Sequence, residues 1–135
     1  PLTHRDHAQA LILVTGHLKD GSMDLDWDML CRPRQTIVIY MGLKGLVTLC
    51  EQMKKHGMPG DTPMAIVQQG TTLNQKTVVG TIDTLPALAA RAELKPPTLI
   101  IVGSVVSLHA KLNWFHPEPA DDDHWHTPLD RPASM

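Results

Sequence analysis

Short apolar runs alternate along the chain with polar stretches that are rich in glycine and proline. Three of these runs, Thr36–Leu43, Pro63–Thr71 and Pro97–Gly103, have a glycine as their last or second-to-last residue. Runs of this length and β-branched content are typical of buried strands, so we expect them to be neighbours in one sheet. A glycine at the end of a strand lets backbone amides and carbonyls approach a ligand, because no Cβ is in the way.

Five stretches are predicted as strands from their apolar content and their turn-forming flanks. They are Ala8–Gly16, Thr36–Tyr40, Met64–Gln68, Gln75–Ile82 and Thr98–Val102. The first stretch leaves an alternative open, since Ala8, Gln9 and Ala10 could also begin a helix.

Helices are predicted between these strands. Gly45–His56 carries apolar residues at spacings of three and four, and Gly57 is a suitable residue to end it. The remaining helical predictions are a short turn within Leu25–Leu30, a helix over Leu85–Leu94 that starts after Asp83 or Thr84 and has Pro86 in its first turn, and a last helix over Val105–Phe115. Strands that alternate with helices of about ten residues indicate an α/β fold with a mixed sheet of about five strands flanked by helices.

Composition narrows the class of protein further. The 135 residues are 42% hydrophobic and 19% charged, which favours one folded domain, and the net charge of −2 gives no basic excess for nucleic acid or a membrane surface. No apolar run approaches the roughly 18 residues that cross a bilayer. Cys31 and Cys50 are isolated and predict reduced thiols, as in the cytoplasm. We therefore expect neither a nucleic-acid nor a membrane partner.

The chain changes character at its end. Residues 116–135 contain several prolines and the acidic run Asp121–Asp123, without periodicity, so we divide the chain into a domain over 1–115 and a tail over 116–135. His124 and His126 could suggest a metal site, but zinc requires three or four ligands in fixed geometry. We expect no metal.

Several stretches resemble one family of enzymes in order and spacing. They read PLTHRDHAQALILVTGH, TIVIYMGL, TPMAIVQQGTTLNQKTVVGTI and PPTLIIVGSVVSLHAKLNWF. Together they resemble the C-terminal half of uroporphyrinogen-III C-methyltransferases, over about Pro1 to Phe115. The resemblance implies the C-terminal domain of the tetrapyrrole methylase fold, S-adenosylmethionine as methyl donor and uroporphyrinogen III as substrate. It also implies a homodimer and a role in making precorrin-2 for sirohaem, cobalamin or haem d1.

The same resemblance implies four cofactor-binding residues. Met41 matches a methionine that contacts the cofactor, and Gly70 matches a glycine whose backbone reads the adenosine. Pro97 and Thr98 match a further cofactor-facing stretch. Each has a purely structural alternative, namely a core thioether for Met41, a turn for Gly70, and a helix terminator followed by a strand start for the other two.

Two residues are implied at the substrate. Arg5, in Leu-Thr-His-Arg, would supply a permanent cation for the substrate's carboxylates, and the alternative is a solvated surface arginine. His17, in Thr-Gly-His, is likewise implied as a substrate contact, although a lone histidine after a strand is more often structural.

Other signatures of the family are missing. The glycine-proline-glycine cofactor loop, the Gly-Gly-Asp stretch and the residues proposed for proton handling do not occur in this sequence. We therefore expect no catalytic residue here and interpret the chain, which begins at Pro1, as a fragment that is inactive alone and binds adenosylmethionine weakly or not at all. The alternatives are a methylase for another tetrapyrrole or corrin, and a non-catalytic dimerisation module of the same fold.

Overall fold

The computed structural model of the protein describes residues 1–17 and 22–117. The five strands are β1 Ala10–Thr15, β2 Gln35–Tyr40, β3 Pro63–Gln68, β4 Lys76–Thr81 and β5 Thr98–Val102. The helices are α1 Trp27–Leu30, α2 Leu46–Lys55, α3 Leu85–Ala92, the 3-10 helix Ser104–Leu108 and α4 His109–Leu112. The predicted α/β class and the predicted strands are confirmed. Residues 18–21 and most of the predicted tail lie outside the described residues.

The strands form one mixed sheet in the order β1-β2-β5-β3-β4. β1 and β2 are parallel, while β5 is antiparallel to both β2 and β3, and β4 is antiparallel to β3. The three glycine-ended apolar runs are therefore adjacent strands, as predicted. The carboxyl ends of β1, β2 and β3 meet the amino ends of β5 and β4 at one edge, which we call the Tyr40 edge.

Strand direction separates the glycines that end the three apolar runs. Because β5 runs opposite to its two neighbours, Gly103 lies at the far edge from Gly42 and Gly70. It is the amino end of β5, at Thr98, that belongs to the Tyr40 edge.

One face of the sheet carries the core. Alternate residues of β2, β3 and β5 that point to this face are at most 1% exposed: Ile37, Ile39, Met64, Ile66, Ile100 and Val102. They form one cluster with the buried side chains of α2, which are Leu46, Leu49, Cys50 and Met53. The predicted amphipathic helix is confirmed, and Gly57 follows it with φ +97° as expected for a left-handed helix end.

The opposite face of the sheet is partly open. Leu13 is 58% exposed, and Leu11, Tyr40 and Val79 are each at least 40% exposed. A groove of about 500 Å³ lies between this face and the C-terminal residues Val105 to Phe115. No helix within the described residues combines the length and apolar character required to span a bilayer.

The prediction of a single helix over Val105–Phe115 is wrong. The segment begins as a 3-10 helix, continues as α4 for only four residues, and turns to an extended conformation at Asn113. Val105 and Val106 are buried, and two consecutive β-branched side chains pack against the sheet at the expense of regular α-helical geometry. The helical alternative for Ala8 is also wrong, since Ala8 pairs with His4 in a β-bridge.

Helix α3 begins at the predicted place, but the side chain of its N-cap residue does not bond to the helix. Thr84 is the N-cap residue and Pro86 lies in the first turn, as expected. The Thr84 hydroxyl, however, accepts a hydrogen bond from the Thr81 N–H at 2.9 Å and makes none to the helix. The side chain thus closes the β4–α3 turn.

The Cys50 thiol is expected to react slowly with iodoacetamide. Burial raises its pKa from 9.0 to about 11, so at pH 8 its thiolate fraction is about a hundredfold lower than that of an ordinary thiol. We expect the alkylation rate in the folded chain, followed by mass spectrometry, to keep rising with pH up to about 11. The same chain in urea is the control, and equal rates for Cys50 in both conditions would contradict the buried position.

Candidate functional site

The Tyr40 edge brings together five of the six residues predicted to bind cofactor or substrate. Thr15 pairs with Tyr40, Tyr40 with Leu99, and Gln68 with Thr98, so the residues just beyond these positions share one edge. The residues concerned are His17, Met41, Gly70, Pro97 and Thr98. β2 and β3 flank β5, which places the ends of their strands about 10 Å apart.

Met41 is an exposed side chain on strained backbone. It is 63% exposed, and its φ of 53° lies in the left-handed region that non-glycine residues rarely occupy. The structure therefore excludes the alternative of a core thioether. Strained backbone beside an exposed apolar side chain at a strand end is typical of functional sites.

Gly70 is a glycine that the fold of the described chain does not require. A Cβ added to it would lie 3.4 Å from Val67 Cγ1 and 4.0 Å from Gln75 Oε1, which are ordinary contacts, and its φ is not in the left-handed region. Among the described residues, no hydrogen bond is donated by the Gly70 N–H. A ligand that approaches the main chain at this position would explain the glycine.

Two other glycines at the same edge have a packing explanation. A Cβ on Gly42 would lie 2.8 Å from Ile100 Cδ1, and one on Gly16 would lie 2.9 Å from Ile39 Cγ2. Contacts this short cannot be relieved without moving the core. Gly16 and Gly42 are thus needed by the fold, in contrast to Gly70.

The segments that carry Gly70 and Pro97 are joined by hydrogen bonds. The Gln69 N–H donates to the Pro97 carbonyl at 2.8 Å. The Gln68 side chain bridges both segments, since its Nε2 donates to the Asn74 carbonyl at 3.1 Å and its Oε1 accepts from the Lys95 N–H at 2.8 Å. Sequence reasoning missed Gln68, whose only signal is an amide side chain at the end of an otherwise apolar strand.

Arg5 does not lie with the other predicted residues. It is exposed in the turn closed by the His4–Ala8 bridge, before β1 begins, whereas His17 follows the end of β1. A strand of this length separates them by about 17–20 Å. The structure therefore does not bring the two predicted substrate contacts together.

No metal centre is found in the described part of the chain. Residues 1–17 and 22–117 contain no group of three or more histidine, cysteine or acidic side chains placed to hold an ion. His124 and His126, the histidines considered from the sequence, lie outside the described residues.

Comparison with known proteins gives a consistent picture. Residues 1–86 match the model of the Tetrapyrrole (Corrin/Porphyrin) Methylases. A siroheme synthase of Nitrosospira multiformis is 66% identical over 118 residues, which is 87% of this chain and 25% of that protein. A siroheme synthase of Thiobacillus denitrificans is 55% identical over all 135 residues, 28% of that protein.

A solved structure shares the fold. Uroporphyrin-III C-methyl transferase from Thermus thermophilus, complexed with S-adenyl homocysteine, superimposes with a TM-score of 0.69 at 28% identity, covering 80% of this chain and 48% of that one. The chain spans about a quarter of the length of the curated relatives it matches. The family match covers more than half of its residues, and the chain belongs to the tetrapyrrole (corrin/porphyrin) methylases.

Proposed function

We propose that the chain is the C-terminal part of the methyltransferase unit of a siroheme-synthase-type protein, which methylates uroporphyrinogen III with S-adenosylmethionine to give precorrin-2. The observation that carries this proposal is the Tyr40 edge, where exposed Met41 lies together with Gly70, a glycine that the packing of the described chain does not require. The siroheme synthases and the Thermus methyltransferase support the choice of reaction.

The edge fits one side of a nucleoside. The Gly70 N–H, which donates to no other described residue, can donate to an acceptor atom of the adenosine, and Met41 presents an apolar, polarisable surface. Pro97 immediately precedes β5, the strand between them, and Thr98 is its first residue, so the two complete a continuous wall. The cofactor, when bound, supplies the methyl group and its own leaving group. The contribution of these residues is to hold it in one orientation, which is the main requirement of an in-line transfer.

The two proposed substrate contacts, His17 and Arg5, lie at opposite ends of β1. His17 lies at the Tyr40 edge and can contact a tetrapyrrole bound beside the cofactor. Arg5 offers a permanent positive charge for a substrate carboxylate from the other end of β1. Proton handling is assigned to no residue of this chain.

A single wall positions one reactant poorly, so we propose that the 135-residue chain alone has no methyltransferase activity and binds adenosylmethionine weakly. We also propose that the protein is located in the cytoplasm. The division into a domain over residues 1–115 and a tail over residues 116–135 is part of the same proposal.

A dimerisation module is the second candidate function. The exposed apolar side chains Leu11, Leu13 and Val79 on the open sheet face favour it, since such patches mark association surfaces. Two results together would favour this candidate. The isolated chain would sediment as a dimer, and a siroheme synthase that carries this segment in place of its own would fail to transfer methyl groups. Methylation of another tetrapyrrole or corrin is the alternative within the enzyme class.

The proposal is tested by transplanting the segment. In the Nitrosospira multiformis siroheme synthase, the 118 aligned residues are replaced by those of this chain, and methyl transfer to uroporphyrinogen III is measured. We expect activity within about tenfold of the parent, which corresponds to a difference of at most about 1.4 kcal/mol. A folded chimera without methyl transfer would reject the proposal, and micromolar binding of S-adenosylhomocysteine to the isolated chain, measured by calorimetry, would reject the dependence on a second wall.

A further inference from the structure

We infer that Gln75 is a positioning residue, which fixes the backbone at Gly70 and Thr71 so that the Gly70 N–H is presented to the nucleoside. The inference rests on the function proposed above and adds a residue and a hydrogen-bonding preference to it. Its structural part can be tested without any ligand.

The central contact is a hydrogen bond from main chain to side chain. The Thr71 N–H donates to Gln75 Oε1 at 2.7 Å. Thr71 has φ 69° and Gln69 has φ 45°, so both neighbours of Gly70 hold left-handed backbone that such residues adopt only when the surroundings impose it. The Gln75 oxygen is the partner that holds the Thr71 peptide in this conformation.

The rest of the loop is fixed by other groups. The Thr72 hydroxyl donates to the Gln69 carbonyl at 2.8 Å and accepts from the Asn74 N–H at 3.2 Å. These bonds secure the base of the loop and leave out its tip at Gly70 and Thr71. The tip is therefore the part whose conformation depends on Gln75.

The remaining polar atoms of the tip set a preference for the ligand. The Thr71 hydroxyl already donates to the Gly70 carbonyl, and the Thr71 N–H is taken by Gln75. The Gly70 N–H remains available among the described residues. The tip thus offers a donor, which selects a nucleoside that presents an acceptor atom, such as a ring nitrogen of adenine or a ribose oxygen.

The first test measures hydrogen exchange of the Thr71 amide by NMR in the 135-residue chain. We expect Gln75→Leu and Gln75→Met, which lack the oxygen, to accelerate this exchange by about tenfold, the effect of losing one ordinary hydrogen bond. Gln75→Glu keeps an acceptor oxygen and is expected to retain slow exchange. Gln52→Leu, a half-buried glutamine on α2, is the matched control.

The second test measures affinity for S-adenosylhomocysteine in the chimeric siroheme synthase. We expect Gln75→Leu to weaken binding and to raise the KM for S-adenosylmethionine by about tenfold with kcat changed less, as for a residue that orients a binding group. Gln75→Glu is expected to stay within about threefold of the unmodified chimera, since a carboxylate oxygen accepts the same bond.

Three outcomes would count against the inference. Unchanged Thr71 exchange in both Gln75→Leu and Gln75→Met would show that the side chain does not hold the tip. Faster exchange with unchanged affinity would show that the bond is only structural. An unmodified chimera that folds without binding S-adenosylhomocysteine would overturn the proposed function, and the exchange data would still report separately on the loop.

Discussion

Replacing Gly70 by alanine is expected to weaken S-adenosylhomocysteine binding by the chimeric siroheme synthase by at least about tenfold, and to leave stability unchanged or slightly increased. The chain itself has room for the added methyl group, with its nearest neighbour at 3.4 Å and no left-handed φ to strain it. Glycine-to-alanine changes at such positions stabilise by about 0.4–1 kcal/mol because the unfolded chain loses freedom. The methyl group would instead meet a nucleoside that approaches the main chain. Calorimetry measures the affinity and urea denaturation measures the free energy of unfolding.

Gly57→Ala is the matched control, with the reverse expectation. Gly57 has φ +97° with no atom within 4 Å of the position that a Cβ would take, and it lines a pocket at the far edge of the sheet together with Gln35 and Gly103. We expect Gly57→Ala to lower the free energy of unfolding by about 1 kcal/mol, because a Cβ disfavours left-handed backbone. Affinity should not change. If Gly70→Ala bound as tightly as the unmodified chimera, the Gly70 backbone would not be a ligand contact.

Replacing Ile39 by alanine is expected to have the largest effect on stability, lowering the free energy of unfolding by about 2–5 kcal/mol. Ile39 is fully buried in β2, and its Cγ2 atom lies 2.9 Å from where a Cβ would stand on either Gly16 or Gly42. The side chain therefore fills the space directly beneath the Tyr40 edge. Its removal leaves a cavity that the neighbouring glycines cannot fill.

Leu13→Ala provides the control for this prediction. Leu13 is 58% exposed on the open face of the adjacent strand, so its truncation removes little buried surface. We expect a change within about 0.5 kcal/mol, as for surface substitutions in general. If Ile39→Ala and Leu13→Ala lowered the free energy of unfolding equally in urea denaturation, one face of the sheet could not be buried while the other is partly open.

The elements themselves were largely predictable, because they depend on local patterns. The spacing of Leu46, Leu49, Cys50 and Met53 identified α2, and the apolar runs identified β2, β3 and β5. The end of the chain was predicted less well. The spacing of apolar residues after Gly103 suits a single helix, but Val105 and Val106 pack on the sheet as part of a 3-10 helix. That packing involves residues distant in the chain, which a local pattern does not report.

The membership of the candidate site stays a prediction from the sequence, whereas the arrangement of its residues follows from the fold. Met41, Gly70, Pro97 and Thr98 came from the family resemblance, and pairing of β2, β5 and β3 places them on one edge. The roles of Gln68 and Gln75 were not predicted, since each depends on a hydrogen bond to a partner whose position is set by the folded loop.

The sequence by itself determined which segments are strands, which helix face is buried, and which family the motifs resemble, since these follow from the identity and spacing of nearby residues. Only the tertiary structure decided that β5 runs against its neighbours, so that Thr98 joins Met41 and Gly70 while Gly103 and Arg5 lie away from them. It also distinguished Gly42, which the core requires, from Gly70, which it does not. The physical reason is that strand direction and close packing arise from contacts between residues far apart in the chain.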